Sequence, residues 1–422
     1  VVRRQSNTRL RPKKWNAKQL IIAVVVAGVV LGGGYLWLGK KNTASPPAAN
    51  TSGSSGSNSS SSSAANTSDS SSSSQTIRFI ATGDELPHAS VNKNALTANG
   101  SYNYLPFFSQ IRPYMTSADM SFCNQESPSD PGLAVSGYPT FNAPASFATD
   151  LNTLGCNVIN LANNHADDRG QAGIDTTLQV WSKLKTLAVA GTASSPAGQD
   201  QVAFFTVKGV KFAFLSYAQC SNNQSVNSYG LNIFSQSLAA RQIAAAHAGH
   251  ADMIIAAMHS CVESRSTEDG WQDSTAQYFA AQGVDIVIGT GPHWLQPVKR
   301  LPKAGGGTTV VWFSLGNMLN TQLDINGLIG GIAEMDIDTK THTVTSLGFM
   351  PTYMHYEWTA AQKAADDEAA RHSLMIYPLD QAAAPLARSQ NNTSVQAQTT
   401  RVTSLLNAHT PVTILTSKTF PH

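Results

Sequence analysis

Residues 157–186 read NVINLANNHADDRGQAGIDTTLQVWSKLKT, and the hydrophobic period of the chain changes within them. NVINLA (157–162) is a short apolar run of the kind that forms a buried strand. Ile174, Leu178, Trp181 and Leu184 then recur at helical spacing and predict an amphipathic helix over 171–186. Between the two lie Asn163, Asn164, His165 and Asp168, a polar cluster at the point where the strand ends. Strand, polar turn and helix in this order are the unit from which α/β folds are built.

The same grammar extends in both directions. TIRFIAT (76–82) is a strand that runs into Gly83-Asp84, and Asp119–Cys123 is a second strand ending in Asn124-Gln125-Glu126. VAFFTV and VKFAFLSY, joined by Lys208-Gly209, read as a hairpin. DMIIAAM (252–258) ends in His259. A helix over 274–282 stops at Gly283, before VDIVIG (284–289) and Pro292-His293. VVWFSLGN (310–317) follows as one strand, then strands over 331–337 and 343–350, an Ala-rich helix after Met354, the apolar LMIYPL and a helix over 395–408. Such an alternation predicts an α/β core with strands buried on both faces.

The chain has 422 residues, of which 41% are hydrophobic and 13% charged. That charged share is about half of the usual one. Its net charge of +2 averages two unlike parts. Residues 1–41 hold nine of the 28 Lys and Arg and no acid, which leaves −7 for the remainder. An acidic folded part without a basic stripe excludes nucleic acid as a partner.

Leu20–Leu38 is an uncharged run of 19 residues, long enough to cross a bilayer. Seven basic residues precede it and two follow, so residues 1–19 are expected in the cytoplasm and the rest outside the cell. The run is too long for the core of a cleaved signal peptide, which is the alternative. Residues 39–75 are a Ser-rich linker, expected to be disordered, and 76–422 form the extracellular domain. Cys220 and Cys261 both end apolar runs and are expected to pair, with Cys156 unpaired. Four free thiols are the alternative.

Asp84, Glu126, Asn164, His165, His259 and His293 each fall just after an expected strand, where α/β folds gather their ligands. Neither a nucleophile elbow nor a phosphate-binding loop is present. Carboxylate, amide and imidazole suit a divalent Mn, Fe or Zn ion, and two such ions would clamp the oxygens of a phosphoryl-type transfer.

Taken in order, these motifs resemble the bacterial capsule synthesis protein family, CapA- or PgsA-like, which is associated with poly-γ-glutamate capsules. The matching residues are Gly83-Asp84; Asn124-Gln125-Glu126; Ala162-Asn163-Asn164-His165 with Asp168 and Gly170; His259 with Glu263; GTGPHWLQ (289–296); and Ser314-Leu315-Gly316-Asn317. The resemblance covers about residues 77–320. It implies a calcineurin-like metallophosphatase fold, a four-layer αββα sandwich of two mixed sheets. It also implies Asp84, Glu126, Asn164, His259 and His293 as metal ligands, with His165 as acid or oxyanion stabiliser. Asp168 would orient His165 or cap a helix.

Two departures stand out. Gly291 occupies a position where many relatives carry histidine, and Ser260-Cys261 replaces Trp-Gly. The glycine is expected to leave an opening beside the centre, with His165 pointing into it, and His88 could fill the missing ligand position. Two functions compete on this basis. One is a membrane-anchored accessory of capsule synthesis or export, handling an anionic capsule or wall polymer beside membrane subunits of a synthase. The other is a metal-dependent hydrolase of a surface polymer.

The topology has a direct test. Protease added to intact cells should remove the domain and leave residues 1–19 protected, whereas a mature form starting near residue 45 and released to the medium would mean a cleaved signal peptide.

Overall fold

The computed structural model describes residues 75–223 and 227–421. The expected cytoplasmic segment (1–19), membrane span (20–38) and nearly all of the linker (39–75) lie outside these residues. No helix among the described residues is long and apolar enough to cross a membrane.

Among the described residues, fifteen strands form two mixed sheets, so the α/β expectation holds. In chain order they begin with β1 (Thr76–Glu85), β2 (Met120–Gln125), β3 (Val158–Asn160) and β4 (Ala188–Ala190). Next come β5 (Ala203–Val207), β6 (Val210–Ala218), β7 (Met253–His259), β8 (Ile286–Thr290), β9 (Val298–Pro302) and β10 (Thr308–Trp312). The last are β11 (Asn317–Leu319), β12 (Ile329–Asp338), β13 (Thr343–Glu357), β14 (His372–Pro378) and β15 (Thr413–Ile414). The first sheet has the order β14-β13-β12-β1-β2-β3-β4, with β11 on β1 and β15 on β13. The second has the order β5-β6-β7-β8-β10-β9.

Strand alternation explains how both faces of the second sheet are filled. Phe212, Phe214, Ile255, Ala257, Ile286 and Ile288 join one large core with Phe79, Phe122 and Phe349 of the first sheet. Phe122 meets Phe214 edge-on at 6.0 Å, and Trp312 stacks on Phe349. The intervening residues Ala213, Leu215, Ile254, Ala256 and Val287 face the other way, onto Leu238, Ile243 and Phe279. Those three belong to the helices Gln236–Ala248 and Gly270–Ala281. The helices Ala145–Leu154 and Gly170–Trp181 add Phe147, Leu151 and Trp181 to the large core.

Several expectations need correction. The run 310–317 is not one strand. It ends at Trp312 in the second sheet, and the chain then crosses to pair with β1 of the first. Gly316 makes the crossing at φ +68°, its N–H donating to Ser314 Oγ. The crossing draws β1 beyond residue 82. Asp84 N donates to Gly316 O at 3.1 Å, and a Cβ on Gly83 would meet that same carbonyl at 1.7 Å, so no other residue fits there. The β3 strand is shorter than expected, and the helix expected over 171–186 spans Gly170–Trp181.

Cys220–Cys261 is a disulfide, as expected, with Cα atoms 6.2 Å apart. Cys156, expected to be unpaired, is bonded to Cys123. The reason is the strand pairing: Asn157 N donates to Ser121 O and Asn157 Oδ1 accepts from Ser121 N, which holds residue 156 against β2.

One buried acid in this frame makes stability depend on pH. Glu334, in the middle of β12, is pushed up to about 7 by burial and by the neighbouring Asp336, against a weak pull from Arg78 at 3.9 Å. The fold thus keeps a proton that the unfolded chain releases near 4.5, the ordinary glutamate value. Stability should therefore fall as pH rises from about 4.5 to about 7 and stay lower above. Glu334→Gln should raise the Tm at pH 8 and leave it nearly unchanged near pH 4.5, measured by calorimetry.

Candidate metal centre

Parallel pairing brings the carboxyl ends of strands from both sheets to one place. Asp84 on β1 lies level with Asn124 on β2 and with Asn317 on β11. His259 at the end of β7 lies level with Thr290 at the end of β8. Glu126 follows β2, Asn164 and His165 follow β3, and His293 follows β8.

Asp84 is fully buried, and both its oxygens are engaged. Oδ1 accepts from Asn124 Nδ2 at 2.7 Å, and Oδ2 accepts from His293 Nδ1 at 3.0 Å. The Gly291 N–H reaches both oxygens, at 3.3 and 3.1 Å. Burial would raise the pKa of this carboxyl, but the hydrogen bond and charge of His293, with help from His259 and Asn124, hold it below its ordinary value. His293 is raised in turn, because the contact with Asp84 outweighs burial. Its Nδ1 also meets Asn317 Oδ1 at 2.9 Å, and its Nε2 is 3.8 Å from Glu263 Oε1. Its backbone is in the left-handed region at φ +60°, a conformation that these contacts hold in place.

Glu126 is the opposite case. It is fully buried, and neither oxygen has a hydrogen-bond partner among the described residues. Burial pushes its carboxyl well above the usual range, and Asp84 and Glu263 push it further. His259 Nε2 lies 3.6 Å from Glu126 Oε1 and 2.9 Å from Asn164 Oδ1. Facing the amide oxygen, Nε2 carries a proton that a bound cation would displace, and Nδ1 meets the Thr290 hydroxyl at 2.9 Å. Burial drives His259 down to about 3, so the imidazole is neutral. Single ligand atoms from Asp84, Glu126 and His259 lie within 4.8 Å of one another. Asn164 joins this group through His259, and His293 joins through Asp84.

This donor set fits a divalent cation. A neutral imidazole, an amide oxygen and two carboxylates, one of them without any donor, are the ligands such an ion takes. Asp84 has its compensation in His293, but Glu126 can be ionised at this depth only if something positive is bound beside it.

His165 Nδ1 donates to Asp168 Oδ2 at 2.9 Å, and the same oxygen accepts from Phe141 N at 2.6 Å. Phe141 packs edge-on against the His165 ring at 4.7 Å. Asn222 Nδ2 stands 3.4 Å from both ring nitrogens. Asp168 thus contacts His165 directly, and the cap position of the following helix is Arg169, without a side-chain cap. His165 lines a cleft of about 570 Å³ with Asp168, Asn222 and Glu263.

The opening expected beside Gly291 is absent. A Cβ there would meet Ser260 O at 2.0 Å and His259 Nε2 at 2.9 Å, at a φ of +98°. The segment after β7 therefore fills the space that a side chain at 291 would need, and His165 faces the cleft instead. His88 does not join the converging group: its Nδ1 accepts from Thr321 N, and burial lowers it to about 3.

Asn124, Asn160 and Asn317 were not foreseen as site residues. Asn124 donates to Asp84 and accepts from Asn160 Nδ2 at 2.8 Å. Asn160 Oδ1 in turn accepts from Ser216 Oγ on β6. The signal was an asparagine at or near the carboxyl end of β2 and β3.

A mixed α/β fold with buried carboxylates and histidines at the strand ends defines a class of candidate metalloproteins. Within that class the family is clear. The model of the bacterial capsule synthesis protein PGA_cap family matches residues 78–322, more than half of the chain, and the chain belongs to this family. The PGA biosynthesis protein CapA of Bacillus subtilis (strain 168) is 27% identical over 175 residues, 41% of this chain and 44% of that protein. The capsule biosynthesis protein CapA of Bacillus anthracis is 24% identical over 235 residues, 51% of this chain and 54% of that protein. The chain thus spans about half the length of the curated relatives it matches. Among solved structures, the NAD nucleotidase of Haemophilus influenzae aligns at a TM-score of 0.41 and 11% identity, over 70% of this chain and 56% of that one. A 5′-nucleotidase precursor from Thermus thermophilus aligns at 0.40 and 12%, over 66% and 54%.

The crowding at Gly291 yields a prediction. Gly291→His should lose about 2–4 kcal/mol of stability in urea unfolding, from left-handed strain and overpacking. Metal content should fall with it; a gain would mean that the segment at Ser260 yields.

Proposed function

We propose that this protein is a membrane-anchored, cell-surface component of capsule or poly-γ-glutamate biosynthesis or export, built around a divalent-metal centre. The names of the relatives support the pathway. The observation that carries the centre is Glu126, a carboxylate buried beside Asp84 and His259 with no donor on either oxygen. Asp84, Glu126, Asn164, His259 and His293 would hold the ion, which is Mn, Fe or Zn by the chemistry of the set. Residues 20–38 would anchor the chain in the bilayer with residues 1–19 in the cytoplasm. Two disulfides fit an oxidising compartment outside the cell. An anionic capsule or wall polymer and membrane subunits of a synthase are the partners this role requires.

A second reading is favoured by one pair of residues. His165 and Asp168 form a buried dyad in the wall of the cleft, more than a passive tether needs. In this reading the protein is a metal-dependent hydrolase of the metallophosphatase type, acting on a surface polymer. Asp168 fixes the Nδ1 proton of His165 and leaves Nε2 to hold or pass a proton at the leaving oxygen or nitrogen. Asn124 and His293 keep Asp84 ionised and oriented. A bound ion would supply Lewis-acid polarisation of the scissile group.

Metal analysis of the purified full-length chain, paired with phosphoesterase and amide-hydrolase screens, separates the readings. Asp84→Ala should lower metal content about tenfold or more. His165→Ala should keep the metal and abolish turnover. Metal without any turnover in the wild type leaves the accessory role, and a wild type that holds no metal overturns the centre.

A further inference from the structure

The cleft in front of the centre has a chemistry of its own. Its rim is the loop Ser136-Gly137-Tyr138-Pro139-Thr140-Phe141-Asn142, closed by reciprocal backbone bonds between Ser136 and Asn142. Asp168 binds Phe141 N, and the backbone of Gly137 packs so closely on Ala89 that a Cβ would lie 2.4 Å from its nitrogen. Arg169 stitches the loop from below, donating to Phe141 O, Thr140 O and Ser136 Oγ. The loop is therefore fixed in advance, which lowers the ordering cost of binding.

What this fixed loop displays is Tyr138, at 69% exposure the most exposed large hydrophobic residue among those described. Its ring meets that of Phe141 in a T-shaped contact at 6.5 Å and lines the cleft. Around it stand Asn222, Asp168 and the half-exposed Glu263, groups that accept or donate hydrogen bonds. No lysine or arginine is among the described lining residues. The guanidinium of Arg169, beside Asp168, is committed to the loop. The volume of about 570 Å³ is in the range of small-ligand sites.

An exposed aromatic ring with carboxylates and amides, and no lysine or arginine among the described lining residues, is poorly suited to a long polyanion. It suits a neutral polymer whose rings offer apolar C–H faces and many hydroxyls. We propose that this cleft binds a neutral glycan segment, with Tyr138 as the stacking platform and Glu263 and Asn222 as hydroxyl partners. The proposal rests on the reading that the protein serves a cell-surface polymer, and it names the part of that polymer, or of its attachment, that the cleft reads.

Calorimetric titration of the full-length protein with chitotetraose, cellotetraose and maltotetraose tests this, with a tetramer of γ-linked glutamate as the contrast. At least one glycan should bind saturably, with affinity changing less than about twofold between low and high salt. Tyr138→Ala should weaken that binding about tenfold or more while metal content stays unchanged, and Tyr138→Phe should stay within about twofold of the wild type. Binding of none of the three glycans, full binding by Tyr138→Ala, or salt-sensitive binding of the glutamate tetramer alone overturns the proposal. Glycan binding by a protein that holds no metal would overturn the centre and leave the cleft standing. Metal without glycan would do the reverse.

Discussion

Asp84 is the group on which the architecture closes. Its carboxylate takes donors from Asn124 on the neighbouring strand and from Gly291 and His293 beyond the second sheet. One buried charge thus ties two sheets together at their carboxyl ends. Around it the polar network runs outward through Asn124 and Asn160 to Ser216, so that β1, β2, β3 and β6 are joined by side chains as well as by packing. Buried polar groups persist only when they are satisfied. That gives particular weight to Glu126, which lies against this network and whose oxygens have no hydrogen-bond donor among the described residues.

The features at the centre are coupled. The chain leaves the second sheet after Trp312 and reaches β1 by way of Gly316, which forces glycine at 83 and carries β1 on to Asp84. On the opposite side, Ser260 presses its carbonyl against Gly291 while Cys261, next along, is bonded to Cys220. Gln219 Oε1 accepts from Cys261 N at 2.7 Å and reinforces the clamp. Residues 260–261 and 291 are therefore coupled: with the segment held where it lies, no side chain fits at 291.

Much of this was legible in the sequence, because it rests on local patterns. Apolar runs ending in Asp, Glu, Asn or His located nearly every strand end that now surrounds Asp84. The misses have a common physical cause, which is long-range pairing. The run 310–317 looks like one strand because its residues are mostly apolar, yet Val310–Trp312 belong to the second sheet and Asn317 opens β11 of the first. Cys156 reads as unpaired because it opens a buried strand, yet that opening is held against β2 through Asn157 and Ser121, and Cys123 of β2 bonds to it. Short strands such as β4 carry too few residues to show a period. The space beside Gly291 could not be read either, since a missing side chain does not say what replaces it.

The place of β1 in the first sheet bears on how the domain comes into being. One edge of β1 pairs with β2, which begins at Met120, but its other edge pairs with β12, in which Asp338 lies opposite Thr76. During synthesis that second partner arrives about 250 residues later, a delay on the order of ten seconds or more at ordinary elongation rates. Until then an apolar strand with a free edge, and the acidic residue at its tip, wait without their partners. The chain can therefore close its first sheet only after its last third has emerged, so the strand made first is among the last to be fully paired.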